Sequence, residues 1–158
     1  MSAEQIKCEA KLISFCSDAY EWSFDRGILK NFKIPTENCV ASIVSGGHFS
    51  LVLDNKGRVF GWGDSTYSEL GIEPAVGGFV ELKFPAKISK ISAGERHSLF
   101  LDSNGVVYSL GDNACGQCGV PRVIRVNSPT VVQIQNDSDD KIVEVSSFKF
   151  FLFLTVKF

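Results

Sequence analysis

The sequence has no surplus of positive charge. Sixteen Lys and Arg stand against 18 Asp and Glu, leaving a formal net charge of −2. Binding to DNA or RNA through the phosphate backbone draws most of its affinity from basic residues, so nucleic acid is not an expected partner. Long apolar runs are missing too, and none approaches the roughly 18 residues of a membrane span. The opening MSAEQIKCEAKLISF scatters Glu4, Lys7, Glu9 and Lys11, and so lacks the uninterrupted apolar core of a signal peptide. The five cysteines are odd in number and follow no framework spacing, which is the pattern of free thiols in a reducing compartment. Helical periodicity of useful length is absent as well. Together these absences predict an intracellular chain, cytoplasmic or nuclear, without membrane association.

What the sequence does hold is enough chain, 158 residues, for a domain with a sizeable core. Its 44% hydrophobic and 22% charged content argues against wholesale disorder. The organising signal is an internal repeat. Residues 42–72, SIVSGGHFSLVLDNKGRVFGWGDSTYSELGI, align without a gap on residues 90–120, KISAGERHSLFLDSNGVVYSLGDNACGQCGV. Identities fall at Ile43/Ile91, Gly46/Gly94, Ser50/Ser98, Leu51/Leu99, Leu53/Leu101 and Asp54/Asp102. They continue at Gly57/Gly105, Val59/Val107, Gly63/Gly111, Asp64/Asp112 and Gly71/Gly119.

Each copy reads as a β-hairpin. A short apolar run (Ser50–Leu53, Ser98–Leu101) meets a polar turn ending in glycine, DNKG or DSNG, and a second apolar run follows (Val59–Trp62, Val106–Leu110). Gly57 and Gly105 close those turns and are expected at positive φ. The Pro-containing segments after each copy fit connections and outer edge strands. Residues 13–29 echo the same hairpin weakly, pairing Asp25 with Asp102 and Gly27 with Gly105. Residues 142–154 look like the start of another copy, with Phe148 near the expected glycine. The expected division is a degenerate first repeat over 1–41, repeats over 42–89 and 90–141, and a truncated repeat over 142–158.

Residues 94–119 match G-x-x-H-S-L-x-L-x-x-x-G-x-V-Y-x-x-G-D-N-x-x-G-Q-x-G almost position for position, from Gly94, His97 and Ser98 to Gly116, Gln117 and Gly119. This pattern resembles the regulator-of-chromosome-condensation repeat. Residues 46–71 match less fully: His48 sits one place early, Ser68 replaces a glycine and Glu69 replaces the Gln. The resemblance implies an all-β fold, a seven-bladed β-propeller of four-stranded antiparallel blades, of which this chain holds an arc of about three. Closed propellers have four to eight blades. The ending FKFFLFLTVKF abandons the pattern, so a truncated form of a longer propeller is expected. Its apolar edge strand invites self-association. The recurrent positions Gly46, Gly57, Gly63, Gly71, Gly94, His97, Gly105, Gly111, Gly116 and Gly119 are expected to be structural.

Other motifs lose their chemistry in this setting. Cys115-Gly116-Gln117-Cys118 has the spacing of a redox or zinc motif, but the repeat itself dictates the Gly-Gln pair. Cys118 stands opposite Leu70, a reactive thiol wants a helix N-terminus, and Cys8, Cys16, Cys39, His48 and His97 offer no second pair at ligand spacing. His48 reads as the displaced counterpart of His97, and neither is paired with a nucleophile. Gly61-Trp62-Gly63 precedes no helix, so it is not a phosphate loop. Asn136–Asp140 lacks the glycine and glutamate of an EF-hand. No catalytic residue, metal or cofactor is expected. The expected function is a non-enzymatic protein–protein interaction module whose specificity lies in loops 72–87 and 120–140. The alternative, implied by the resemblance, is guanine-nucleotide exchange on a small GTPase partner.

Overall fold

The computed structural model describes residues 18–23, 28–71, 78–134, 141–149 and 151–157. All of its regular structure is strand: β1 (Asp18–Ser23), β2 (Ile28–Lys33), β3 (Val40–Ser45), β4 (Phe49–Asp54), β5 (Val59–Gly63) and β6 (Val80–Leu82). Then follow β7 (Ile88–Ala93), β8 (His97–Asp102), β9 (Val107–Asp112), β10 (Arg125–Val131), β11 (Lys141–Phe148) and β12 (Phe151–Lys157). Among the described residues no helix is long and apolar enough to cross a membrane.

Two four-stranded antiparallel sheets, β3-β4-β5-β6 and β7-β8-β9-β10, are the blades, and the hairpins β1–β2 and β11–β12 are two-stranded sheets on either side in the sequence. The fold is thus a partial β-propeller. The repeated hairpins form as the sequence predicts. β4 pairs with β5 from Phe49↔Gly63 to Leu53↔Val59, and β8 with β9 from His97↔Gly111 to Leu101↔Val107. Gly57 and Gly105 close them at φ 83° and 92°.

Every residue of β4 and β8 is buried, because these strands are covered on both faces. Leu51 and Leu53 point toward the second blade and join Ile91, Phe100, Tyr108 and Leu110 in one core. Leu99 and Leu101 point onward in the same sense, away from Phe100, and cluster with Val132, Ile142 and Val145. Apolar burial of this kind stabilises by roughly 25 cal/mol per Å². It accrues between blades, so neither sheet encloses a core of its own.

A β-bulge interrupts the first strand of each unit at the same place, between Val40 and Ser42, Ile88 and Lys90, and Ile142 and Glu144. The bulge register sets Phe148 opposite Gly46 and Gly94. The weak echo at residues 13–29 rests on Asp25 and Gly27, which lie outside the described residues. The exit from β2 has a counterpart after β6. Lys33-Ile34-Pro35 repeats Lys83-Phe84-Pro85 at the end of the first blade. Ile34 clusters with Val52 and Phe60. Phe84 lies 4.7 Å from Phe100 and 5.6 Å from Tyr108, ring centroid to centroid, and those two residues occupy the corresponding positions one repeat later. The exit from β2 thus packs on the first blade as the exit from β6 packs on the second.

Candidate functional site

The repeat turns gather at two opposite ends of the blades. One end carries the turns between first and second strands (Gly46–His48, Gly94–Arg96) and the loops leading to the outer strands (64–79, 113–124). Gly46, Gly63, Gly71, Gly94, Gly111, Gly116 and Gly119 lie at this end, and Gly57 and Gly105 at the other.

The loop after the third strand has one shape in both blades, held by polar side chains of which Ser65, Glu69, Asn113 and Gln117 are buried. Asp64 and Asp112 accept through Oδ1 from the N–H of Thr66 and Ala114, at 2.9 and 3.1 Å. Ser65 Oγ and Asn113 Oδ1 accept from the N–H of Leu70 and Cys118, at 3.2 and 2.9 Å. Glu69 and Gln117 accept through side-chain oxygen from the N–H of Tyr67 and Cys115, at 2.8 Å in both cases. The Glu-for-Gln change therefore keeps the bond, while burial pushes the Glu69 carboxyl above its usual range. Ser68 stands at φ 66° where Gly116 has φ 80°, so that departure from the pattern also keeps the conformation.

The cysteine question is settled by burial. Cys118 is 0% exposed in the apolar slot that Leu70 fills in the first blade, and its thiol donates toward Leu110 O and Asp112 O. Burial, reinforced by the Asp112 charge and opposed by a hydrogen bond with Ser109, pushes the thiol up to about 12. Cys115 is exposed, and both cysteines are free thiols. Iodoacetamide at about pH 8 is therefore expected to label Cys115 in the folded chain and to leave Cys118 untouched until urea is added. Equal labelling rates in peptide mapping would put the Cys118 thiol at the surface. Among the described residues no group of three or more His, Cys, Asp or Glu is placed to hold a metal.

His97 is fully buried with its ring against Gly94, where a Cβ would come within 2.1 Å of Cε1. In the first blade that place is taken by Phe49, whose ring lies as close to Gly46, while His48 is exposed beside it. Aligned by structure, Phe49 is the counterpart of His97 and His48 is a surface residue. Trp62 is half-buried and tilted against Phe79 at 4.9 Å. The Asn136–Asp140 cluster lies outside the described residues, as does part of each loop named from the sequence (72–77 and 135–140).

Outward from this framework lies a surface that no local pattern announces. The Arg96 guanidinium sits 4.4 Å from the Tyr67 ring centre and that of Arg125 sits 5.5 Å from it, bringing three sequence-distant segments together. Ser68 Oγ donates to Asn127 Oδ1 at 2.8 Å, tying the loop of one blade to the outer strand of the next. Asn113 Nδ2 donates to Val120 O and Val123 O, and Asn113 N–H donates to Ile124 O. The tip beyond these bonds is fixed in position yet bare, with Val123 43% and Ile124 79% exposed between Arg122 and Arg125.

A family model described as "Regulator of chromosome condensation (RCC1) repeat" matches residues 40–69 and 88–117, and a second of the same description matches 56–101 and 104–147. Among solved structures, human WBSCR16 is similar at 25% identity and a TM-score of 0.66, over 77% of this chain and 33% of that one. Prp20p from Saccharomyces cerevisiae is similar at 24% identity and a TM-score of 0.69, over 82% and 33%. Yeast RCC1 (Prp20) bound to Kap60 gives 24% and 0.70, over 78% and 31%. The chain thus spans about a third of these proteins' length. No curated protein matches by sequence.

Proposed function

Since the chain belongs to the regulator of chromosome condensation (RCC1) repeat family, we propose that it is a non-enzymatic, intracellular protein-interaction module binding through the end that displays Tyr67, Arg96, Val123, Ile124 and Arg125. The observation that carries this reading is the contrast within one loop. Buried Asn113 holds residues 120–124 in place by three hydrogen bonds, while Ile124 stands 79% exposed at their tip. Arg and Tyr are enriched among binding hot spots, and a preorganised surface lowers the entropy lost on association. The exposed arginines suit a partner that offers carboxylates around an apolar pocket.

A photo-reactive residue placed at position 124 tests the proposal inside cells, with position 83 at the opposite end as the control. Discrete cross-linked products are expected from position 124 alone. Ile124→Asp should abolish them while changing stability by less than about 0.5 kcal/mol, because the side chain is already in water. Indistinguishable products from the two positions would sink the reading.

A second reading, nucleotide exchange on a small GTPase, is supported only by the fold shared with Prp20p, a protein described together with its binding properties to Gsp1p and histones. Release of a fluorescent guanine nucleotide from candidate GTPases checks it. Release unchanged by micromolar chain removes it.

A further inference from the structure

Arg96, Arg122 and Arg125 are all exposed at the end of the blades that carries Tyr67. Among the described residues the ion pairs are Arg58–Asp54, Lys83–Glu81 and Lys90–Glu144, and none of them involves these three arginines. The acids of the same end are engaged elsewhere. Asp64 accepts from the N–H and the hydroxyl of Thr66, and Asp112 accepts from the N–H of Ala114. Glu69 is 4% exposed and accepts from the N–H of Tyr67. The Glu95 side chain packs along Gly47 of the neighbouring blade. The arginines are therefore left for an anion from outside the chain.

Their placement is built rather than incidental. Two guanidiniums rest on one ring, 4.4 and 5.5 Å from the Tyr67 centre, so their charges stay within about one Debye length, roughly 10 Å at 0.1 M salt. The ring holds them there against their mutual repulsion. An arginine resting on an aromatic face keeps its forked N–H edge free for a second partner. Arg122 adds a third cation at a cost in backbone strain. Its φ is 65°, a region that glycine enters freely and L side chains avoid. Among the described residues no hydrogen bond or ion pair of the Arg122 side chain offsets that strain, and backbone strain of this kind concentrates at ligand-binding positions.

We propose that Arg96, Arg122 and Arg125, braced by Tyr67, receive a phosphorylated serine or threonine side chain of the protein partner. The inference rests on the binding end assigned above and names what that end holds. A phosphate monoester carries about two negative charges near neutral pH and three acceptor oxygens. It thus takes forked N–H pairs from two guanidiniums at once, where a carboxylate brings one charge and two oxygens. Arginine clusters are the recurrent receptors for such groups. A protein is the source that fits best. Val123 and Ile124, 43% and 79% exposed, stand in the same loop and call for an apolar surface beside the phosphate. The chain's net charge of −2 disfavours a long polyanion such as nucleic acid.

Titrating the full isotope-labelled chain with N-acetyl-O-phosphoserine amide tests it, with the arginine Nε–H signals followed by NMR. Saturable shifts are expected at Arg96 and Arg125, with affinity about 10-fold above that for N-acetyl-glutamate amide at equal ionic strength. Arg96→Gln and Arg125→Gln should each weaken binding by about 10-fold, and Lys83→Gln at the opposite end should leave it unchanged. Arg122→Gly should weaken binding while raising the urea midpoint, a split that a purely structural arginine would not give. Equal affinity for the two probes, shifts reproduced by sodium chloride, or binding indifferent to the arginine substitutions overturns the phosphate receptor. A second arm repeats the cross-linking from position 124 in lysate with and without phosphatase. Products lost on phosphatase treatment support the receptor. Products that persist overturn it and leave the binding end standing, whereas no discrete product from untreated lysate overturns both.

Discussion

Replacing Asp54 by alanine is expected to cost about 3–5 kcal/mol, a large share of the roughly 5–15 kcal/mol that stabilises a domain. Asp54 is 1% exposed at the hairpin turn of the first blade, and its carboxylate is the meeting point of five donors. Oδ1 accepts from the N–H of Lys56 and Arg58, both at 2.9 Å. Oδ2 accepts from Thr36 Oγ1 at 3.0 Å, Asn38 Nδ2 at 3.0 Å and Arg58 Nε at 2.8 Å. The turn, the strand after it and the connection from the preceding blade thus share one anion. Alanine leaves the donors without an acceptor, and each buried one costs about 1–3 kcal/mol. The orphaned Arg58 costs less, because its side chain is 40% exposed and reaches water. Asp54→Asn should recover only the Oδ1 half, since its amide NH2 would face Thr36, Asn38 and Arg58, which are themselves donors.

This prediction carries a pH signature. Burial alone would raise the Asp54 carboxyl, but hydrogen bonds from Arg58, through backbone and side chain, and from Asn38 and Lys56 outweigh it and hold the group at about 2, against 3.8 unperturbed. A carboxyl whose folded value is depressed binds fewer protons folded than unfolded. Its stabilisation is therefore complete above about pH 4 and is lost as pH falls through the folded value near 2. Urea titrations at neutral pH and near pH 2 should show the gap between native chain and Asp54→Asn narrowing at the lower pH. A gap that is constant across that window would mean that charge is not what Asp54 contributes.

The second large effect separates two glycines that look alike in the sequence. Gly111→Ala is expected to cost about 3–5 kcal/mol and Gly116→Ala about 1–2 kcal/mol. Both have positive φ, 112° and 80°. At Gly111 an added Cβ would lie 2.4 Å from Arg96 O and 2.7 Å from His97 Cα, which are backbone atoms at the start of the paired strand and cannot turn aside. At Gly116 nothing lies within 4 Å, so only the backbone strain remains. The first blade already supports this comparison, because Ser68 occupies the Gly116 position at φ 66° with an intact loop. Equal shifts in urea midpoint for the two variants would mean that crowding at the strand end contributes nothing.

The blade centres were legible in the sequence because β4 and β8 are covered on both faces, so selection on burial preserves continuous apolar runs such as Ser50–Leu53 and Ser98–Leu101. Their turns were legible because positive φ confines Gly57 and Gly105 to glycine. The outer strands were harder to read. β6 has three residues, and β10 alternates irregularly, contains Pro129 and shifts register between Val126 and Thr130. The bulge residues Ala41, Ser89 and Val143 share no side-chain type, so nothing local marks them. The Phe49 substitution for His97 hid behind the neighbouring His48, since a histidine one place early looks like a shifted match. The Tyr67, Arg96 and Arg125 cluster is assembled by blade packing from three distant segments, and pairwise spacing carries no trace of it. The Lys33-Ile34-Pro35 echo of Lys83-Phe84-Pro85 was visible in principle, but too short to stand out without the packing of Ile34.

Placing the apolar core between sheets has an evolutionary corollary. Each unit offers its neighbours the same two surfaces, Leu51 and Leu53 on one side matching Phe100 and Tyr108 on the next. A gene can therefore gain or shed a whole repeat by unequal crossing-over without any new core being selected, whereas an insertion of half a repeat must find its complement elsewhere. Growth of such chains is thus quantised by geometry in units of one repeat.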